Sequence, residues 1–411
     1  MIEDGVRYLL CRPNGGFNDT LVQLELCRLH AARFGRTLIV DTSRCGLRLP
    51  FGEIFVPRDD FGPPVAGLTW SMAQELDRCS SVRPSALAGR ISTYVSVWDT
   101  ELDGTVERDS RQRIVFDLDR DHPETLLVHE QPGGGKRGYG FLERVALAAW
   151  IADAVAARLL PLGGDYDAIH VRNTDLSTDY LRLFRHCRRL FAGRRLLVCS
   201  DSAEVKRCAA LAFADSTILS VADVPDTAGE GLHWSTLSDP RRAAVDLFCD
   251  FAGIALSRTF VFTAVEKRSG SRAGFSGFSV LADMLRQQPA TVRSLFSAGD
   301  PGRMAALLAP PVPPRGVVRL GRAIARLDQW RWNRAARWLS FRLGLKLRLR
   351  ALLARRERAA VPAAPPDAAP VQTDGAVPRE SRENPVRRQM AGLPAAVPSC
   401  DEADAAARPR S

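Results

Sequence analysis

Between Ala168 and Gln287 short apolar runs alternate with longer stretches of helical period, and this alternation restricts the fold more than any other feature of the chain. The runs Ala168–Arg172, Leu196–Cys199, Thr217–Val221 and Thr259–Thr263 read as strands. Tyr180–Phe191, Ala203–Leu211, Pro240–Ser257 and Phe278–Gln287 read as helices, the third begun by Asp239 as N-cap and Pro240 at its first position. Parallel strands need a crossover between them, usually a helix, so strand–helix repetition predicts a parallel, doubly wound sheet. Such folds bind ligands at the carboxyl ends of their strands.

The opening residues repeat the pattern. Arg7–Cys11 is a strand, Pro13–Asp19 a tight glycine-bearing loop, and Thr20–Phe34 a helix stopped by Gly35 before the strand Thr37–Val40. Further strand candidates lie around Val95 and at Ile114–Phe116. The expected architecture is α/β, with two Rossmann-like domains facing a cleft and Val145–Leu162 as the connecting helix. The domains are expected at 1–144 and 145–297. A Pro/Ala/Gly-rich linker follows at 298–314, then a basic segment at 315–358 and a disordered Ala/Pro-rich tail at 359–411.

Charge is unevenly placed. The 411 residues carry a formal net charge of +10, yet residues 315–358 hold fourteen basic side chains against Asp328 and Glu357. The rest of the chain is therefore close to neutral. Trp330, Trp332 and Trp338 stand among those arginines, a mixture suited to an anionic membrane surface, with a packed helix or nucleic-acid binding as the competing uses. No apolar run is long enough to span a bilayer, and Met1–Gly5 lacks the basic and apolar regions of a signal peptide. A cytoplasmic protein, peripheral at the inner face of the plasma membrane, is the expectation. The nine cysteines include no CxxC pair and read as small buried hydrophobes.

Four loops hold the candidate chemistry. Gly15 and Gly16, with Asn18 and Asp19, open a helix where backbone amides approach an anion; the same residues also suit a plain turn capped by Asp19. The strand ending His170-Val171-Arg172, followed by Asn173 and Asp175, delivers a guanidinium fork to a sheet edge, where it pairs with Asp175 or grips a phosphate. Ser200 and Asp201 follow another strand and suit a ribose, a base edge or a helix cap. The Gly/Ser-rich stretch Ser269–Ser279 enters a helix with Ser276, Gly277, Phe278 and Ser279. Asp246 and Asp250 share one face of the preceding helix.

Those loops, in that order, resemble the GDP-fucose-dependent fucosyltransferases, a superfamily that includes nodulation-factor, α1,6- and protein O-fucosyltransferases. Pro13-Asn-Gly-Gly-Phe-Asn-Asp-Thr20 is similar to their N-terminal glycine loop, and His170-Val-Arg172-Asn-Thr-Asp175 to their HxRRTD motif. Val198-Cys-Ser-Asp201 resembles the second motif. Asp246, with Ala255-Leu-Ser257 and Phe275-Ser-Gly-Phe-Ser279, resembles the third. The resemblance spans about residues 7 to 290. It implies a GT-B-like fold and an inverting transfer of fucose from GDP-fucose to a glycan or oligosaccharide acceptor, with no cofactor and no required metal. It assigns Arg172 to the donor β-phosphate and the departing GDP, with His170 shaping the pocket beside it. Asp201 and Asp246 would meet the nucleoside, Ser276 and Ser279 the pyrophosphate, and Gly15 and Gly16 the sugar. Asn173 stands where the family has a second Arg, and Ser202 where a second acid is common. The base that deprotonates the acceptor is left open between Asp19, Glu130 and the acceptor's own surroundings. The acceptor is expected among cell-surface or secreted glycans built at the cytoplasmic membrane face.

Two rival readings remain. Asp117-Leu-Asp119 has the local form of the DxD used by metal-dependent glycosyltransferases, and a relative that binds nucleotide sugar without catalysis is the other. A phosphate loop at Gly133-Gly-Gly-Lys136 fails, because Glu130 and Arg137 occupy positions that need Gly and Ser or Thr.

Overall fold

The computed structural model describes residues 3, 5–224, 231, 235, 238–267 and 272–309, which belong to one compact unit. Both the basic segment 315–358 and the tail 359–411 lie outside the described residues.

The first half builds a five-stranded sheet. In chain order it runs β1 (Tyr8–Cys11), α1 (Phe17–Phe34), β2 (Thr37–Val40), α2 (Phe51–Ile54), β3 (Phe55–Pro57), β4 (Val65–Gly67), α3 (Trp70–Leu76) and β5 (Val82–Arg83). A hairpin of β6 (Ser96–Asp99) and β7 (Gly104–Glu107) follows, then β8 (Leu126–His129), α4 (Gly138–Leu142) and β9 (Val145–Leu147). The sheet order is β4-β2-β1-β8-β5, and every pairing in it is parallel. All residues of β1 and β8 are buried, which explains why they read as continuous apolar runs: a parallel sheet is covered on both faces.

The second half continues with α5 (Ala149–Leu159), β10 (Asp167–Val171), β11 (Leu176–Ser177), α6 (Tyr180–Phe191), β12 (Arg195–Ser200), α7 (Ala203–Ala212), β13 (Thr217–Leu219), α8 (Pro240–Leu256) and β14 (Phe260–Phe262). Its parallel sheet has the order β13-β12-β10-β14. The chain ends with β15 (Ala264–Lys267), β16 (Arg272–Phe275), α9 (Gly277–Arg286), α10 (Pro289–Leu295) and α11 (Pro301–Leu307). Two Rossmann-like α/β halves are thus present, as the strand–helix alternation predicts.

Several expectations are corrected. α1 starts at Phe17, three residues early, because Gly16 with φ −75° is the N-cap and Asp19 reaches back from the first turn to accept its N–H at 3.3 Å. Val145–Leu147 is not helical: it pairs with Phe55–Pro57, so the connecting helix begins at Ala149. Ile114–Phe116 forms no strand; the sharp reversal at Arg111 (φ 56°) leaves only an isolated bridge between Val106 and Arg113. The strand near Val95 is the β6–β7 hairpin. The Gly/Ser-rich loop contains the strand β16, which pairs antiparallel with β15 just before it. Within the expected linker, α11 is capped by Asp300, which accepts from Arg303 N at 2.8 Å, and Met304 is buried. Asp-Pro at its start was the overlooked signal.

The two halves share one core. Phe17 of α1 meets Phe248 and Phe251 of α8 at 5.4 and 5.1 Å between ring centroids and Phe278 of α9 at 6.2 Å. Among the cysteines, Cys11, Cys27, Cys45, Cys199 and Cys249 are buried, in keeping with their reading as small hydrophobes. No described helix is long and apolar enough to cross a membrane.

Candidate active site

Parallel pairing aligns the carboxyl ends of β1, β2 and β8, so the loops that follow them lie side by side. Asn14 N donates to Gln131 O at 3.2 Å, and Asn14 bridges to Pro132. Beneath them Arg12 is buried, its Nε 3.0 Å from Asp41 and its guanidinium over the Tyr94 ring. The glycine loop therefore rests on a locked platform.

In the second half β10 ends at Val171, which puts Arg172 at the first position of the loop. Arg172 Nε and Nη2 donate to Asp175 Oδ1 at 3.0 and 2.6 Å, and Nε lies 3.3 Å from Asp201 Oδ2. Nη1 has no partner among the described residues. Asp201, nearly buried, organises the loop: its Oδ1 accepts Asn173 N at 2.7 Å and its Oδ2 accepts Thr174 Oγ1 at 2.6 Å. Asn173 Oδ1 accepts Thr178 N at 3.2 Å, and Thr178 Oγ1 donates to Arg172 O at 2.5 Å. The side chain where a second Arg was absent thus stiffens the turn. Thr174 and Thr178 were missed by sequence reasoning, although a run of Asn, Thr, Asp and Ser is the usual composition of such self-bonded turns.

His170 is buried, its Nδ1 2.7 Å from Ser279 Oγ and its ring 5.0 Å from that of Phe278. Burial first, and the neighbouring Arg172 charge second, lower its pKa to about 3, so the imidazole is neutral at physiological pH. This contact fixes the start of α9 beside Arg172. Ser276 caps α9 without a side-chain bond to its first turn.

The two helix N-termini converge. A Cβ placed on Gly277 would stand 2.7 Å from Asn18 Nδ2 and 3.0 Å from Asn18 Cβ, so only glycine fits where α9 meets α1. Asn18 Nδ2 donates to Gly135 O at 3.2 Å. Asp19 feels both Arg172 and Asp175 electrostatically; burial is the largest influence on it and pushes its carboxyl up to about 6. Burial likewise raises Asp201, opposed by Arg172. Two positive helix ends and a guanidinium therefore address one space, a setting that favours a multiply charged anion.

Other candidates fall outside this cluster. Ser200 Oγ donates to Val171 O at 2.8 Å and accepts Ser202 N at 3.1 Å, so its hydroxyl is committed to the loop. Asp246 pairs with Arg158, which also donates to Val221 O, beyond the end of β13. Asp250 is half-buried, its Oδ1 buried without a hydrogen-bond partner among the described residues, and desolvation raises its carboxyl to about 6. Glu130 is buried against Tyr94 (2.6 Å) and Ser96, which removes it as a base for an acceptor. Asp117 Oδ1 accepts Asp119 N at 3.0 Å in an exposed turn. That turn leads to Asp121, which pairs with Arg7 ahead of β1, at the amino edge of the sheet opposite the glycine loop. Within the glycine run, packing requires Gly133, where a Cβ would lie 2.3 Å from Asp19 O, and a positive φ of 90° favours glycine at Gly135.

Solved structures similar to this chain include fucosyltransferases. Fucosyltransferase NodZ from Bradyrhizobium is 18% identical, with a TM-score of 0.44 over 68% of this chain and 93% of that one. POFUT1 in complex with GDP-fucose is 11% identical, with a TM-score of 0.37 over 68% of this chain and 95% of that one. A mutant of Arabidopsis thaliana FUT1 in complex with GDP is 12% identical, with a TM-score of 0.36 over 70% of each chain. No protein-family model and no curated protein sequence matches this chain.

Proposed function

We propose that the chain is an inverting glycosyltransferase that moves fucose from GDP-fucose to a glycan acceptor without a metal. The observation that carries this reading is the meeting of Arg172, its Nη1 free among the described residues, with the first turns of α1 and α9. In the transfer an acceptor oxygen attacks the anomeric carbon as the bond from that carbon to the β-phosphate oxygen breaks. GDP leaves with the electron pair. Arg172 and the α9 amides of Gly277, Phe278 and Ser279 stabilise the charge growing on it, the task a metal performs elsewhere. Asp175 and Asp201 aim the guanidinium. Neutral His170 holds Ser279 and the Phe278 ring without adding a titrating charge to the pocket.

Asp19 takes the acceptor proton in this scheme. It enters from the opposite half, lies within electrostatic reach of Arg172, and has a pKa near the operating pH, which suits a general base. Gly15 and Gly16 leave room for the sugar beside it. Asp246, with Arg158, borders the crevice beyond β13 and is assigned to the nucleoside side.

The test is GDP release from GDP-fucose, GDP-mannose and UDP-sugars, with and without EDTA. The expected result is fastest turnover of GDP-fucose, unchanged by EDTA. Preference for a UDP-sugar, or loss of turnover in EDTA, overturns the reading.

A further inference from the structure

The β6–β7 hairpin exposes more apolar surface than a short ribbon needs. Trp98 is 50% exposed, and Val95, Val97 and Leu102 are exposed around it. A two-stranded ribbon is marginal by itself. This one is stiffened on every side. Asp99 Oδ1 accepts from Glu101 N and Leu102 N at 2.9 and 3.1 Å, and Arg111 clamps the same carboxylate. Gln131 brackets Thr105, accepting its N–H at 3.1 Å and donating to its carbonyl at 3.0 Å. The ribbon is held rigid while its largest ring is left uncovered.

Register gives that ring a direction. Trp98 stands opposite Thr105 in the antiparallel ladder, so the two side chains share a face. Thr105 Oγ1 accepts from Asn14 Nδ2 at 3.1 Å, and Asn14 is followed by Gly15 and Gly16. The indole therefore sits beside the glycine loop, on the half that contributes Asp19. A surface cavity of about 330 Å³ borders Trp98 and Val97, with Asp99 and Glu101 in its wall beside Arg108 and Arg111. A flat apolar ring bordered by carboxylate acceptors and guanidinium donors has the chemistry that receives a pyranose, with one C–H face on the ring and hydroxyls at its rim. Charge argues against the other apolar occupant, an anionic membrane: between Val95 and Arg113 there are five acidic and three basic residues.

We infer that the β6–β7 hairpin binds the glycan acceptor and that Trp98 is its saccharide-stacking platform. The inference rests on the transferase reading for the direction of binding. It places a neutral oligosaccharide residue against Trp98, beyond the unit that meets the transferred sugar at Gly15 and Gly16.

The experiment uses the full chain on an array of neutral β-linked hexose and N-acetylhexosamine tri- to hexasaccharides, with W98A and W98F beside the unmodified protein. Expected are binding to a subset of glycans, a loss of roughly tenfold or more in W98A, as for truncation of a Trp anchor, and near-normal binding in W98F. Melting temperature and GDP affinity are expected to stay unchanged, because the ring is half exposed and outside the anion site. Equal binding by W98A, or no glycan binding by the unmodified chain, overturns the inference. So does a W98A defect confined to pelleting with phosphatidylcholine–phosphatidylglycerol vesicles. Absent GDP affinity with Trp98-dependent glycan binding sinks the transferase reading and leaves the platform standing. Intact GDP affinity with Trp98-independent glycan binding does the reverse.

Discussion

Replacing Arg172 separates a guanidinium that acts from one that merely fills an ion pair. In the structure Nε and Nη2 are engaged by Asp175, Nε also faces Asp201, and Nη1 makes no hydrogen bond among the described residues. Arg172→Lys keeps one positive charge near these acids, but a single ammonium cannot hold them and reach a phosphate together. It forfeits one or two charge-assisted hydrogen bonds of about 1.5–3 kcal/mol each. The expected fall in kcat is therefore roughly 10- to 100-fold. Arg172→Ala removes the charge altogether and leaves Asp19, Asp175 and Asp201 facing one another. Loss of an arginine that stabilises a departing phosphate typically costs about 10³–10⁵ in rate. Steady-state GDP release at varied GDP-fucose, with saturating acceptor, separates kcat from KM. If the clamp tightens as charge reaches the leaving oxygen, kcat falls more than donor affinity. Thermal melting checks that both variants are folded at the assay temperature. A folded Arg172→Ala protein with kcat within about threefold of the parent refutes the clamp; a change confined to KM refutes the transition-state part of it.

Two further predictions concern the contact between the halves. Gly277→Ala inserts a methyl where Asn18 already stands 2.7 Å away; overpacking of this kind costs about 1–3 kcal/mol, and calorimetry should show a lower Tm together with reduced kcat. Unchanged melting and turnover would mean that the helix ends do not meet. Asp19→Asn tests the base. Because burial raises the folded carboxyl to about 6, above its ordinary value, the native state holds the extra proton between those values. The group's contribution to stability is thus present below about 4 and is lost as pH rises through 6. Asp19→Asn should therefore melt higher than the parent at pH 8 while its rate loses the ascending limb centred near pH 6. An unaltered pH–rate profile removes Asp19 from the chemistry.

The sequence revealed the elements of the second half well because the central parallel strands β10 and β12 are buried on both faces and the crossover helices are amphipathic or capped, as α8 is by Asp239. It revealed the site less completely. Arg172 and His170 were legible from their place at a strand end, whereas their supports came from turn geometry: Thr178 on the Arg172 carbonyl, Asn173 on the Thr178 amide. Gly277 announced a helix start, but its approach to Asn18 joins residues 259 positions apart and has no local signal. The same holds for Glu130, exposed to no acceptor because Tyr94 and Ser96 close over it. The expected linker at 298–314 misled through composition alone; the helix in its described part is held by a capping Asp and by Asp153, which accepts Asp300 N at 2.7 Å.

The crowding of Asp19, Asp175 and Asp201 around one guanidinium has a thermodynamic consequence for ligand capture. A diphosphate adds negative charge to a space that already holds three carboxyls and draws Arg172 partly away from them. Asp19, with a pKa of about 6 before the ligand arrives, is then driven toward its protonated form. GDP binding near pH 7 should consequently take up a fraction of a proton from solution. The heat of binding would change with the ionisation enthalpy of the buffer, and affinity would weaken as pH rises. Under the proposed function the site favours release of GDP on the alkaline side and its retention on the acid side, a bias set by the carboxylates rather than by the cation assigned to the phosphate.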